Sequence, residues 1–200
     1  VARYRSFDSY RLALSDGVTV LAGPNAAGKT NLIEALQLLT SGASFRHPTA
    51  TELVHDGVGS CKVELRLEGD GRVLDMGLSV EDGKRSFSRN GKRCAASGVR
   101  GVLPSVLFCP DHLDMVKRGA SVRRTALDDF GVQLSARYAD LASAYGRCVT
   151  QRNALLKETW CCREMLGAWN ESIARAGSAL LVHRLALLDR LSGHVRDAYG

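Results

Sequence analysis

Between Val18 and Leu36 the chain reads Val18-Thr19-Val20-Leu21-Ala22, then Gly23-Pro24-Asn25-Ala26-Ala27-Gly28-Lys29-Thr30, then Asn31-Leu32-Ile33-Glu34-Ala35-Leu36. The middle stretch fits the pattern Gly, four residues, Gly-Lys-Ser/Thr. Its flanks are an apolar run that predicts a buried strand and a segment of helical periodicity, which is the context the pattern needs. A loop that wraps a polyanion with its own N–H groups must keep nearby side chains small. Gly28 lets the backbone approach where a Cβ would intrude. Lys29 places a point charge on the β and γ phosphates, and Thr30 offers a hydroxyl to Mg²⁺, a cation that takes hard oxygen ligands and keeps waters. The following helix adds its N-terminal dipole. Residues Gly23 to Thr30 therefore read as the phosphate site for a nucleoside triphosphate, ATP with Mg²⁺.

What accompanies the loop narrows the class. No Asn-Lys-x-Asp motif is present to read guanine; Asn90-Gly91-Lys92-Arg93 is not one. Phosphoryl transfer needs a second carboxylate near the metal, usually ending an apolar strand. Only Val106-Leu107-Phe108-Cys109-Pro110-Asp111 resembles such a run, and Leu127-Asp128-Asp129 lies in a helical stretch with its acids read as solvated. A complete hydrolysis site is therefore not expected within these residues.

The chain changes character near residue 115. All four prolines precede that point, and short alternating segments predict strands at Phe7 to Leu14, Cys61 to Leu67, Val73 to Val80 and Arg85 to Arg89. Asn90-Gly91 marks a hairpin, because a tight primed turn needs positive φ at both central residues. Asn31 to Thr40 predicts a helix with Leu32, Ala35, Leu36 and Leu39 on one face. Beyond residue 115, Tyr138, Leu141, Ala142, Tyr145, Cys148 and Val149 recur at helical spacing, as do Leu181, Leu185, Leu188, Leu191, Val195 and Ala198. Two long proline-free helices joined around Glu158 to Arg163 predict an antiparallel hairpin, with the leucine stripe as core. The division expected is residues 1–115, the N-terminal part of a nucleotide-binding head, and 116–200, a helical arm.

Composition adds bounds. There are 27 Lys and Arg against 21 Asp and Glu, a net charge of +6, which permits an anionic partner without establishing one. No apolar run is long enough to span a bilayer. The cysteines at 61, 94, 109, 148, 161 and 162 lack zinc or redox spacing and read as small buried hydrophobes in a reduced compartment. The five histidines show no metal spacing, so no zinc site is expected.

Several segments, taken together, resemble one family. Gly23 to Leu36 looks like the phosphate loop of the RecF family of bacterial recombination-mediator ATPases, in which Asn25, Ala26, Asn31 and Glu34 fit. Tyr4-Arg5-Ser6-Phe7 resembles the family's opening strand. Val106 to Lys117 resembles its Val-x-Phe-x-Pro-Glu-Asp-Leu-x-Leu-Val-Lys segment, with His112 where an acid is usual. Arg123-Arg124-Thr125-Ala126-Leu127-Asp128 resembles Arg-Arg-x-Phe-Leu-Asp, with Ala126 where an aromatic is usual. Gln151 to Lys157 resembles a motif of the family's arm. The family's Leu-Ser-x-Gly-Gln signature and its Asp-Asp strand do not occur up to Gly200, so the chain reads as an N-terminal fragment.

The resemblance implies an α/β fold: a P-loop ABC/SMC-like ATPase head, a mixed sheet plus an antiparallel meander, with a helical arm subdomain. It implies a cytoplasmic bacterial protein of DNA replication, repair, recombination and the SOS response. Such a protein dimerises on ATP, clamps DNA at gaps or single-strand/double-strand junctions, and works with RecO and RecR to load recombinase. Weak ATPase activity is expected of the full-length protein and none of these residues alone. Arg5 and Asn31 are candidate nucleotide contacts, and Arg123 and Arg124 candidate DNA or interface contacts. Arg46 is read as solvated, and Arg152 and Asn153 have no physical account. A transporter's nucleotide-binding subunit uses the same loop, but would carry its signature motif by this point. A small-molecule kinase would need an Arg-rich lid and a carboxylate base, neither of which is recognisable.

Overall fold

Alternation of apolar and polar residues builds one antiparallel sheet. The computed structural model describes residues 1–14, 16–69, 71–158 and 163–200, with side chains for all of these except Asp111 and Arg163. Trp160, Cys161, Cys162 and part of the expected joint at 158–163 lie outside the described residues. The described chain forms two compact units, Val1–Leu107 and Phe108–Gly200.

In the first unit the strands are β1 (Ala2–Tyr4), β2 (Phe7–Ser9), β3 (Ser60–Gly69), β4 (Arg72–Glu81), β5 (Lys84–Arg89) and β6 (Lys92–Cys94), in the order β2-β1-β3-β4-β5-β6. Every pairing among them is antiparallel. Val63 lies opposite Leu78 and Cys61 opposite Val80, and Phe87 lies opposite Leu78 from the other side. Period-two alternation sends all of these to one face. Helix α1 (Lys29–Ser41) covers that face, burying Ala35, Leu38 and Leu39 with Tyr4, Leu53 and Met76 in a single core. Deleting the Leu38 side chain from such a core costs about 2–5 kcal/mol. The Asn90-Gly91 turn has φ 49° and 73°, the positive pair that the hairpin requires.

Two expectations fail here for one reason. Val18 to Ala22 forms no strand, and Val18 and Val20 are 89% and 79% exposed. The strand expected over Phe7 to Leu14 stops at Ser9. An apolar strand is buried only when neighbouring strands flank it, and no described strand lies beside 18–22. The same holds for Val106 and Phe108, which belong to no strand and are 74% and 76% exposed.

The second unit is helical: α2 (Asp114–Lys117), α3 (Ala120–Leu134), α4 (Ala136–Leu155) and α5 (Arg163–Tyr199). Ser135 caps α4 by accepting a hydrogen bond from the Tyr138 N–H at 3.3 Å. Helices α4 and α5 pack antiparallel. Tyr138, early in α4, shares a core with Leu180 and Leu187, while Arg152, late in α4, donates to Asn170 Oδ1 at 2.7 Å, early in α5. That bond gives Arg152 a structural account. The buried face of α5 differs from the expected stripe: Leu180 and Leu187 are buried, whereas Leu181, Leu185, Leu188 and Val195 are exposed. The helix has apolar residues on more than one face, and the face that turns inward carries Leu180 and Leu187 together with Arg184, which pairs with Asp128. Asp128, expected to be solvated, accepts from Arg184 Nε and Nη2 at 2.8 and 2.6 Å and from the Tyr138 hydroxyl at 2.6 Å.

Candidate nucleotide-binding site

The segment Gly23 to Thr30 leads directly into α1, whose first residue is Lys29. Gly28 stands at the helix N-cap position with φ 90° and ψ 5°. Its φ favours glycine, and a Cβ there would lie 2.5 Å from Phe7 Cζ and 2.9 Å from Ser6 Oγ. The β1–β2 turn thus presses against the loop, and only a residue without a side chain fits. Ala26 also has positive φ, 66°, where glycine would be unstrained.

No side chain caps the N-terminus of α1. Its first-turn N–H groups therefore remain available for an anion. Lys29 Nζ donates to the carbonyl oxygens of Gly23 and Pro24 at 2.8 and 2.7 Å. Those carbonyls hold the ammonium over the loop, where phosphate oxygens would compete for it. Thr30 is exposed on the first turn. Small residues, free helix N–H groups, one ammonium and one hydroxyl are a donor set that fits a triphosphate with Mg²⁺.

Behind the loop sits a carboxylate that sequence reading passed over. Glu34 is wholly buried on the inner side of α1. Its Oε1 accepts from Arg5 Nη2 at 2.9 Å and Ser44 Oγ at 2.6 Å. Its Oε2 accepts from Arg5 Nε at 3.0 Å, the Tyr4 hydroxyl at 3.2 Å and Arg46 Nη1 at 3.5 Å. Burial pushes this carboxyl's pKa up, but the Arg5 and Ser44 hydrogen bonds and the charges of Arg5 and Arg46 outweigh it, leaving the pKa below the ordinary value. Burial also lowers the Arg5 pKa, yet the bond and charge of Glu34 raise it overall. The Tyr4 hydroxyl is pushed up, by burial first and by Glu34 second.

The sequence-predicted residues are thereby sorted. Arg5 faces Glu34 with both of its fork nitrogens. Asn31 donates to Ser6 Oγ at 3.0 Å and accepts from Arg46 Nη1 at 2.8 Å. Arg46 is exposed, as expected, and its Nη1 also donates to Asn31 Oδ1 and Glu34 Oε2, with the guanidinium 5.4 Å from the Phe45 ring centroid. The signal for Glu34 was present: it is an acid in a helix stripe beside Ala35 and Leu38. In the second unit, Arg123 Nη1 donates to the carbonyls of Met115 and Arg118 at 3.3 and 3.1 Å, and Arg124 is exposed. The loop and Arg123 with Arg124 belong to separate units. Among the described residues no three of His, Cys, Asp and Glu gather as a metal site, and no helix is long and apolar enough to cross a membrane. The four described cysteines are free thiols, with Cys61 buried and Cys94, Cys109 and Cys148 half-buried.

Comparison with known proteins identifies the family. The AAA domain family matches residues 2–102. The DNA replication and repair protein RecF of Paenarthrobacter aurescens is 36% identical over 204 residues, covering 98% of this chain and 51% of that protein. The protein of the same name from Streptomyces avermitilis is 32% identical over 210 residues, covering 100% of this chain and 56% of that protein. A solved structure of the recombination mediator protein RecF-ATP in the RecFOR pathway superposes with TM-score 0.85 at 27% identity, over 95% of this chain and 52% of that one. The corresponding RecF-ATPrS structure gives 0.88, again at 27% identity, over 95% and 53%. The chain spans about half the length of the relatives it matches. Its fold is α/β, that of the RecF ABC/SMC-like ATPase head. The chain belongs to the AAA domain family and is RecF-like across nearly its whole length.

Proposed function

We propose that the chain is part of an ATP-binding protein of DNA replication and repair that couples nucleotide binding to DNA binding. In this reading residues 1–115 contribute to the ATPase head and 116–200 form its arm. The phosphate loop carries the proposal. Lys29 meets the β and γ phosphates, and the N–H groups of Gly23 to Thr30 wrap the chain of oxygens. Thr30 would hold Mg²⁺, which neutralises charge on the phosphates when bound. Glu34 keeps Arg5 and Arg46 in place and ties α1 to β1, so the loop enters the helix in a fixed direction. Support comes from relatives named for DNA replication and repair and from a RecF-ATP neighbour.

Two such heads would then close on ATP and clamp DNA at a gap or junction, with RecO and RecR as partners in loading recombinase. The exposed apolar residues at 18–22 and 106–108 would gain cover from the remaining sequence of a full-length protein. The cell compartment would be the bacterial cytoplasm. Hydrolysis would be slow and would reset the clamp.

The test is fluorescence anisotropy of a labelled gapped duplex titrated with the intact protein, with and without Mg·ATP, beside Lys29→Ala. ATP is expected to tighten binding, and Lys29→Ala to abolish the gain. DNA binding indifferent to both ATP and Lys29 would overturn the coupling.

A further inference from the structure

The whole charge excess of the chain sits in one place. Residues 83–110 contain six Lys and Arg and no Asp or Glu, which equals the net charge of +6, so the remaining residues balance. This segment is the β5–β6 hairpin and its continuation. Two of its cations are committed to backbone: Arg85 donates to the Pro48 carbonyl and Arg100 Nε to the Ser41 carbonyl. The other four are exposed, and none forms an ion pair with a described residue; Lys84 stands opposite Glu81 on β4, whereas Arg89, Lys92 and Arg93 gather at the hairpin tip.

The same sheet treats its charges differently two strands away. On β3 Lys62 pairs with Glu64 at 2.7 Å and Arg66 with Glu68 at 3.1 Å. Arg66 also stands directly opposite Asp75 on β4, with an ion pair at 3.8 Å. On the hairpin, by contrast, Arg89 stands directly opposite Lys92 with no acid to relieve it. Like charges facing each other across strands destabilise a sheet. Protecting an edge from stray pairing needs only a lysine or a short strand, and β6 is already three residues long. The hairpin therefore keeps a repulsion that stability alone would remove. An open cleft of about 400 Å³ at its tip is lined by Arg89, Asn90, Lys92, Arg93, Cys94 and Gly98.

We propose that the tip of the β5–β6 hairpin is a nucleic-acid site, at which Arg89, Lys92 and Arg93 contact the phosphate backbone of duplex DNA. The assignment rests on the DNA-directed function proposed above and adds the surface that carries it. Guanidinium and ammonium groups placed along a β-ribbon match phosphate oxygens and register no base sequence. Duplex is favoured over single strands because the hairpin offers no stacking platform: its one aromatic, Phe87, is 7% exposed and lies in the core.

The experiment measures binding of the intact protein to a labelled duplex of arbitrary sequence across a range of salt. The variants are Arg89→Gln/Lys92→Gln/Arg93→Gln and, as a charge-matched control, Arg175→Gln/Arg190→Gln/Arg196→Gln on exposed positions of α5. The hairpin variant is expected to weaken binding and to flatten the slope of log K against log salt by about 0.9 for each phosphate it no longer neutralises, hence by roughly two to three. The control is expected to keep the slope, and Arg89→Lys/Arg93→Lys to bind almost as the parent does. Thermal unfolding of each variant establishes that the fold persists. Equal losses in hairpin variant and control would reduce the effect to bulk charge and overturn the proposal. An unchanged hairpin variant, with the parent binding normally, would overturn it while leaving the DNA-directed reading in place. Failure of the unmutated protein to bind any DNA would remove both.

Discussion

Two carboxylates organise the two units, and nearly the same groups hold them. Glu34 is gripped by the fork of Arg5 and by the Tyr4 hydroxyl; Asp128 is gripped by the fork of Arg184 and by the Tyr138 hydroxyl. They differ in depth and in what they join. The Glu34 side chain is fully shielded, whereas Asp128 keeps 24% of its side-chain exposure. Glu34 collects donors from Tyr4 of β1 and the adjoining Arg5, from Ser44 and from Arg46, so one residue of α1 fixes the phosphate-loop helix against two other segments. Asp128 joins three helices to one another. A deep hub can enforce geometry because removing one partner leaves charges stranded, whereas a shallow one lets water substitute.

The sharpest way to break that contrast is truncation. Glu34→Ala would strand the Arg5 guanidinium and leave the Tyr4 and Ser44 hydroxyls without their acceptor. It is expected to cost about 3–5 kcal/mol in chemical denaturation. Asp128→Ala, partly open to solvent, is expected to cost about 1–3 kcal/mol. Equal losses would mean that depth does not separate the two sites. Nucleotide affinity provides a second readout. Glu34→Gln should weaken Mg·ATP binding severalfold through Arg46 and Asn31, while Asp128→Asn should leave it unchanged.

Acid sharpens the comparison further. Burial pushes both carboxyls up, but hydrogen bonds from Arg5 and Ser44 in one case, and from Arg184 and Tyr138 in the other, bring each below its ordinary pKa. A carboxyl lowered on folding stabilises the fold above its unfolded pKa and loses that contribution as the pH falls toward its folded value. Stability should therefore be flat near neutrality and decline below the ordinary carboxylate range. Glu34→Gln should lower the neutral plateau and make the acid decline shallower in the first unit. An unchanged acid profile in Glu34→Gln would show that this carboxyl is not the group being protonated.

How much of this was legible in the sequence follows from the range of each interaction. Strands β3 to β5, the Asn90-Gly91 turn and the loop-to-helix junction were readable, because alternation, turn chemistry and glycine spacing act within a few residues. Glu34 was not read as a hub, since its partners Arg5 and Ser44 are 29 and 10 residues distant. Periodicity finds a stripe but not the partner for an acid within it. Helix α5 misled for a related reason: it carries apolar residues on several faces, and the partners of the face that turned inward, Tyr138 for Leu180 and Leu187 and Asp128 for Arg184, are distant in sequence, the last by 56 residues. Residues 18–22 read as a buried strand because their composition is that of one. Composition names the environment a strand needs, and neighbouring strands must supply it.

The smallest effect tests the loop itself. Ala26 holds φ 66°, a left-handed conformation that costs an L-residue roughly 1–2 kcal/mol. Glycine would relieve that cost, but it would lose more freedom on folding, about 0.5–1 kcal/mol. The balance for Ala26→Gly is a gain of about 0.5–1 kcal/mol in the first unit, measurable as a small rise in denaturation midpoint. Gly28→Ala should act in the opposite direction and more strongly, because its Cβ would meet the Phe7 ring as well as a φ of 90°. A pair of shifts with these opposite signs would locate the strain in backbone conformation. A loss in Ala26→Gly would mean instead that the methyl group of Ala26 contributes packing that outweighs its strain.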